Sequence, residues 1–363
     1  MRLGRGVSRL ALRSLSASGL PALMARFYAG QGGILSFHRI HTPTEDEFGS
    51  LNLSVSPQNF RYVVEALTRR GYRFLTMSAL VERLQTANFC DGKVVCLTFD
   101  DGFLDTYTNA FAICREFGVP MTIYLVSSFI RNEFPAWSFA LERIIAAQSK
   151  IDLPWGVSIE TGTRPQKHLA YRAIASRLVL APPDEVAQTC DALGRRYGVD
   201  FLAIGHHHLL TLGMIREMQR TGLVEFGAHS VHHAYLSRLD YGAAWREIAQ
   251  SKQHCEALLG HEVHHFAYPY GDSSAFGERE IAICRRLGFD SAVTTECDTI
   301  RLCDQARLLS LPRLTYSGQF QDTPLLDLLL SGTLPVLRRN LAGLRHLPSK
   351  GRSGSARPEL RCP

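Results

Sequence analysis

The sequence predicts an α/β protein: a distorted (β/α)7–8 barrel with a helical insertion on its rim. Three observations predict it. Short β-rich runs alternate with helical patterns between residues 34 and 294, and such alternation implies a parallel sheet. About seven strand–helix units recur with no GxGxxG or GxxxxGK[ST] loop among them, which favours a barrel over an open nucleotide-binding sheet. The rhythm then breaks for nearly 100 residues between Val126 and Val224, where the pattern is mostly helical.

Taken in order, Ile34–Phe37 is the first strand. Ser56-Pro57 opens a helix, with serine as N-cap and proline in the first turn. Its apolar face is Phe60, Val63, Val64 and Leu67, and Gly71 stops it. Val94–Phe99 is the clearest strand, followed by a helix ending at Gly118 and a strand at Thr122–Val126. The interrupted interval contains helical patterns at Phe139–Ala147, Leu169–Leu180 and Asp184–Tyr197. It reads as an insertion over about 137–210, either a lid over the site or a structural cap. Beyond it come Val224–Phe226, a helix Tyr241–Leu259 ended by Gly260, a strand Phe266–Tyr268, a helix Phe276–Leu287 ended by Gly288, and a strand Ala292–Thr294.

Charge divides the 363 residues into three regions. Residues 1–40 hold six arginines and no acid, and residues 336–363 hold seven basic residues and one acid. The 27 basic and 33 acidic residues between them leave the body mildly acidic, which argues against nucleic acid as a partner. The domain reading is therefore a basic arm over 1–31, a barrel over 32–335, and a basic, disordered tail over 336–363. In the arm, Arg2, Arg5, Arg9 and Arg13 recur at helical spacing. Either this helix packs on the body, or residues 1–28 make weak contact with an anionic membrane surface. No apolar run reaches the length of a membrane-spanning helix or a secretory signal. Nine cysteines without a CxxC pair fit reduced, buried thiols. These features together suggest a cytoplasmic protein, peripheral at most on the inner face of a membrane.

Chemistry concentrates at strand ends, where barrels of this kind build their sites. Val94–Phe99 runs directly into Asp100-Asp101-Gly102. Adjacent carboxylates are costly unless a cation neutralises one of them, although aspartate is also common in turns and caps. After the strand at 224–226 comes His229-Ser230-Val231-His232-His233. On a helical turn the i, i+4 spacing puts His229 and His233 on one face, a usual way to hold one metal ion, with His232 pointing elsewhere. One carboxylate with two imidazoles leaves open coordination positions, a catalytic rather than a structural pattern. The triple His206-His207-His208 has no acidic partner and is not expected to bind metal. Phe266-Ala267-Tyr268-Pro269-Tyr270-Gly271 supplies aromatic residues at a third strand end, either to wall a groove for a sugar or as core and turn.

These three elements, in this order, resemble the motifs of the polysaccharide deacetylase family, carbohydrate esterase family 4, also called the nodulation-B homology domain. Thr98-Phe99-Asp100-Asp101-Gly102 is similar to its first motif, His229-Ser230-x-x-His233 to its second, and Phe266–Gly271 to its third. The resemblance covers roughly residues 32–318. It implies a metal-dependent hydrolase that removes N-acetyl, sometimes O-acetyl, groups from sugars. Asp100 would be the general base; Asp101, His229 and His233 would hold one divalent ion, zinc by preference; and Tyr268, Pro269 and Tyr270 would contact substrate, the Tyr270 N–H at the oxyanion. Two departures stand out. Ala267 replaces the third-motif arginine that orients the base, and Arg313 is the candidate substitute. The late histidine that serves as general acid is missing, since only His346 follows the third motif. Instead Phe37-His38-Arg39 ends the first strand, as in the family's rearranged subgroup that acts on poly-N-acetylglucosamine, which makes His38 the candidate acid. The expected substrate is an N-acetylated oligo- or polysaccharide of GlcNAc type. Hydrolysis of another N-acyl group, such as N-formyl on a lipid-linked sugar or a small amide, and a non-catalytic carbohydrate-binding role both remain open here.

Overall fold

The computed structural model describes residues 9–44, 47–49, 53–90 and 92–345. Strands β1 (Gly32–Phe37), β2 (Arg73–Leu75), β3 (Val94–Phe99), β4 (Met121–Leu125), β5 (Val224–Ala228), β6 (His265–Ala267), β7 (Ser291–Val293) and β8 (Leu314–Thr315) form one parallel sheet. Their spatial order is β7-β6-β5-β4-β3-β1-β8. β2 pairs with the first half of β3 and β4 with its second half, so the two share one edge of it. Val293 bridges Leu311, three residues before β8. The sheet therefore curls until its two edge strands are linked through residues 294–313, which gives the expected distorted (β/α) barrel. β2 and β8 escaped the sequence reading because three and two residues show no alternation.

Every residue of β1, β3 and β4 is buried, as a parallel sheet covered on both faces requires. One face of the strands packs outward. Leu35, Phe37, Leu97 and Phe99 join Phe60, Val63, Val64 and Leu67 of α3 (Pro57–Arg69) in the main core. The alternate residues Ile34, Val94 and Cys96 turn into a smaller cluster, to which α4 (Met77–Thr86) adds Met77, Leu80 and Leu84. After β3 a π-helical turn, Thr106–Phe111, leads into α5 (Ala112–Phe117), which Gly118 caps in a left-handed conformation. The long helix is α12 (Tyr241–Leu259), with Asp240 as N-cap and Gly260 past its end. α13 (Glu278–Arg286) connects β6 to β7.

The insertion lies between β4 and β5. It contains α6 (Ser127–Ile130), α7 (Trp137–Ala147), α8 (Arg164–Leu180), α9 (Pro183–Tyr197), α10 (Phe201–His206) and α11 (Leu212–Arg220). An antiparallel hairpin, Lys150–Asp152 with Ser158–Glu160, also belongs to it and was not foreseen. Phe139, Leu141, Ile145, Ile174, Leu193 and others form a hydrophobic cluster of its own. At its far end Leu209 bridges Phe103, and Leu210 donates to the Gly102 carbonyl at 2.9 Å. The insertion thus returns onto the turn that follows β3.

Both ends of the described chain sit on one corner of the barrel. α1 (Arg9–Ala17) and α2 (Leu20–Tyr28) form a helical hairpin, and α14 (Leu325–Leu330) and α15 (Thr333–Arg345) pack against it. Arg9 and Arg13 do not point away from the body. They donate to the carbonyls of Gln319 and Asp322, each at 3.2 Å, and Arg9 lies 3.4 Å from the Asp322 carboxylate. Arg2 and Arg5 lie outside the described residues. The expected disordered tail begins too early at 336. α15 runs on to Arg345, because Leu334 and Pro335 are buried beside α14 and fix its first turn. Residues 346–363, His346 included, lie outside the described residues.

At the other end of the barrel, opposite the strand termini that carry the motifs, Glu225 accepts from the N–H groups of Met77 at 2.7 Å and Ser78 at 3.2 Å. His265 Nε2 lies 3.5 Å from the same carboxylate, and Ser78 Oγ is 2.8 Å from that nitrogen. Burial alone would raise this carboxyl, but the contacts with His265 and Ser78 lower it to about 2. A carboxyl depressed by folding contributes stability above its unfolded pKa and loses it as pH falls towards the folded value. The wild type should therefore lose on the order of 2 kcal/mol between about pH 4.5 and pH 2 through this group. Glu225→Gln should be less stable at neutral pH and show a flatter acid limb, as read by urea unfolding across that range.

Candidate active site

Three strand ends converge at the motif-bearing mouth of the barrel. β3 delivers Asp100 and Asp101, β5 delivers the His229–His233 turn, and β6 delivers the turn Tyr268–Gly271. Six non-glycine residues in the described chain have a left-handed backbone, and four of them are here: Asp101 (φ 75°), Ser230 (62°), His233 (56°) and Tyr270 (62°). Such conformations cost energy and persist where surrounding contacts determine them.

Those contacts come from distant elements. Ser127 and Ser128, just after β4, donate their N–H groups to the carbonyls of Ser230 and Val231 at 3.2 and 3.1 Å. Glu247 on α12 accepts from the N–H groups of Val231 and His232 at 3.1 and 3.0 Å. Glu247 also holds the His232 ring, with 2.5 Å to Nδ1. His232 thus points away from the histidine pair, as expected. The pair is not on a helical turn, however. Residues 229–233 form an irregular turn, and the backbone reversals at Ser230 and His233, not the 3.6-residue period, bring the imidazoles within 4.9 Å of each other.

Asp101 Oδ1 lies 3.4 Å from His229 Nε2 and 3.3 Å from His233 Nε2. It is buried and has no hydrogen-bond partner. A buried carboxylate oxygen without a donor is expensive, and two ring nitrogens aimed at the same point make a three-coordinate cradle. His229 Nδ1 contacts the Ala267 carbonyl at 2.7 Å, so it carries the proton and leaves the Nε2 lone pair facing inward, the support usual for a metal-bound histidine. Burial pushes the His233 imidazole down to about 4, which keeps it a neutral donor. Asp101 is held well below the usual carboxylate range, the two histidines outweighing its burial. The donor set fits a divalent ion. Among the described residues no other group of three such side chains comes together, and His208 instead stacks on Phe139 at 4.1 Å.

Asp100, next in the chain, faces a different partner. Arg313 grips it with both guanidinium nitrogens, at 2.7 Å to each carboxylate oxygen. Arg313 is wholly buried and also donates to the carbonyl of Thr294 at 2.8 Å. Burial acts to raise Asp100, but the Arg313 charge and then His229 bring it below its ordinary value. His38 Nε2 lies 3.8 Å from Asp100 Oδ2, its side chain part-exposed to the mouth. Asp105, which the sequence reading missed, fixes the chain just beyond His38. It pairs with Arg39 and accepts from the Ile40 N–H at 2.7 Å. No local pattern marked Asp105 or Glu247, because their partners are remote in sequence.

The third element departs from the expected groove wall. Tyr268 is not a groove residue. It is fully buried, donates to the Leu309 carbonyl at 2.9 Å and stacks on Phe276 at 4.2 Å. Pro269 is buried as well. Both belong to the turn, whose alternation puts only Tyr270 at the mouth, 4.6 Å from His233 and 5.3 Å from Tyr235 ring to ring. A narrow cleft lies beside the histidines. His233 and Tyr270 line it from the barrel, and Phe134, Trp137, Leu178 and Val186 line it from the insertion.

The polysaccharide deacetylase family model matches residues 181–292, which include His229, His233 and the third motif. Asp100 and Asp101 lie upstream of that stretch. A deacetylase of Streptococcus pyogenes, PplD, solved with acetate, covers 79% of this chain and 92% of its own at 21% identity, with a TM-score of 0.54. Residues 181–292 are thus similar to polysaccharide deacetylase domains. IcaB from Ammonifex degensii covers 82% of the chain and 96% of its own at 16% identity, also with a TM-score of 0.54. These likenesses establish the domain's fold. Among curated sequences, poly-beta-1,6-N-acetyl-D-glucosamine N-deacetylase of Escherichia coli strain K12 is 20% identical over 312 residues, 78% of this chain. The chain spans 64% of the length of the first curated relative, YxkH of Bacillus subtilis, and 36% of the Escherichia coli protein.

In the domain, His233→Ala should abolish stoichiometric zinc binding, measured by elemental analysis after dialysis, while His207→Ala leaves it unchanged. Full occupancy in His233→Ala would remove the assignment of the cradle.

Proposed function

We propose that the protein is a metal-dependent N-deacetylase acting on an N-acetylated, GlcNAc-type oligo- or polysaccharide. The observation that carries this is one peptide serving two roles. Asp101 faces a histidine pair, while its neighbour Asp100 is clamped by Arg313 and faced by His38. The named activity of the Escherichia coli relative supports the choice of substrate class.

Asp101, His229 and His233 would hold a divalent ion, which would supply Lewis-acid polarisation of the acyl carbonyl and of the attacking water. The Asp100 carboxylate takes one proton from that water as the new C–O bond forms. Arg313 fixes the plane of the carboxylate and keeps it ionised, and each oxygen still has lone-pair capacity beyond the Arg313 fork. The backbone N–H of Tyr270 donates to the oxyanion. His38 Nε2, on the same side as Asp100 Oδ2, protonates the nitrogen as the C–N bond breaks, because an amide nitrogen is a poor leaving anion. Acetate and a free amino sugar result. The rings of Tyr270 and Tyr235 offer a face to a pyranose, and the Phe134–Trp137 side of the cleft excludes water from one flank.

The deciding assay is release of acid from a panel of N-acetylated and N-formylated oligosaccharides with zinc supplied. Acetate release supports the reading. Formate release alone would redirect it to another acyl group, and neither product would leave a binding role. Asp100→Asn should retain zinc and lower kcat by roughly two to four orders of magnitude.

His38→Ala should also retain zinc. It should lose kcat on the amide yet lose far less on an activated ester, whose leaving group needs no proton. Equal losses on both substrates would exclude His38 as the acid.

A further inference from the structure

On the α1–α2 hairpin Arg9 and Arg13 stay exposed while they bond carbonyls of the body, and several apolar side chains are exposed as well. Leu12 and Pro21 are buried against the body. Leu10 and Phe27 are 73% and 71% exposed, the two highest values among the large hydrophobic side chains described. Leu20, Leu23 and Phe27, at i, i+3 and i+7, lie along one face of α2, and all three are exposed. α15, packed on α2, adds exposed Leu337. An apolar stripe of this kind along an exposed helix marks an interaction surface.

Charge decides the occupant. The chain up to residue 31 carries five arginines and no acid, of which Arg26 is exposed on α2 itself. α15, packed on α2, adds Arg338 and Arg339 to the same corner. The body between is net acidic. A second copy of the chain would meet this face with the same positive charge, so self-association is disfavoured. Apolar side chains ringed by arginines suit an anionic lipid surface, into which the former sink while the latter pair with headgroups.

We propose that the outward face of the α1–α2 hairpin docks on an anionic membrane, through Leu10, Leu20, Leu23 and Phe27 with the exposed arginines Arg9, Arg13 and Arg26. The inference concerns this corner alone and does not depend on the reaction proposed above. The test is co-sedimentation of the full chain with vesicles of pure phosphatidylcholine or of phosphatidylcholine containing one third phosphatidylglycerol. The wild type should pellet with the anionic vesicles at low salt, little with the neutral ones, and less as salt rises. Leu23→Asp combined with Phe27→Asp should lower the bound fraction at least tenfold while thermal unfolding by circular dichroism is unchanged, since both side chains are exposed. Arg26→Glu should weaken the preference for anionic over neutral vesicles. Wild-type protein that stays in the supernatant would overturn the proposal, as would a double variant that pellets like the wild type. A concentration-dependent dimer abolished by the same variant would also overturn it and assign the face to a second copy.

Discussion

A guanidinium with no exposed surface is among the costlier groups a protein can bury, and Arg313 is bearable only because Asp100 takes both of its outer nitrogens and the Thr294 carbonyl takes Nε. This ion pair joins the end of β3 to the residue that precedes β8, with β1 between them, while the bond to Thr294 crosses the seam between β7 and β8. Closure of the barrel and placement of the proposed base therefore share one side chain. Removing either partner would strand a charge in the interior, so the carboxylate cannot be lost without a structural penalty, and the seam cannot relax without moving the carboxylate.

The neighbouring residue obeys the opposite rule. Asp101 has a backbone strained at φ 75° and an oxygen that nothing donates to. The surrounding structure maintains this arrangement at a distance: Ser127 and Ser128 below the histidine turn, Glu247 from α12, and the Ala267 carbonyl from β6. Local stability is given up at one point and recovered in hydrogen bonds elsewhere, the pattern expected of a site preorganised for a cation.

How much of this was legible follows from range. β3, α12 and the N-cap at Ser56 could be read directly because they rest on neighbours in the chain. Asp101, His229 and His233 were legible through motif spacing, although the geometry inferred for the pair, a helical turn, was replaced by two backbone reversals that no periodicity encodes. Arg313 was legible only as a vacancy at Ala267 that some other cation had to fill. Tyr268 was misjudged because an aromatic residue at a strand end faces the mouth or the core according to a one-residue phase. Asp105 and Glu247 carried no signal at all, since each acts on a turn far from it in sequence. The tail boundary failed similarly, because composition alone could not show that Leu334 and Pro335 would be covered by α14.

The insertion keeps its own hydrophobic cluster and meets the barrel near Gly102, Phe103 and the cleft beside His233. Its interior can therefore be rebuilt without disturbing the sheet, and the Asp100 and Asp101 carboxylates can stay fixed while the wall beside His233 changes. On the proposed function, reactivity and admission would reside in separately packed parts of one chain. Such a division lets a lineage, or an engineer, retune which molecules enter by repacking around Trp137 and Leu178 while leaving the bond-breaking apparatus as inherited.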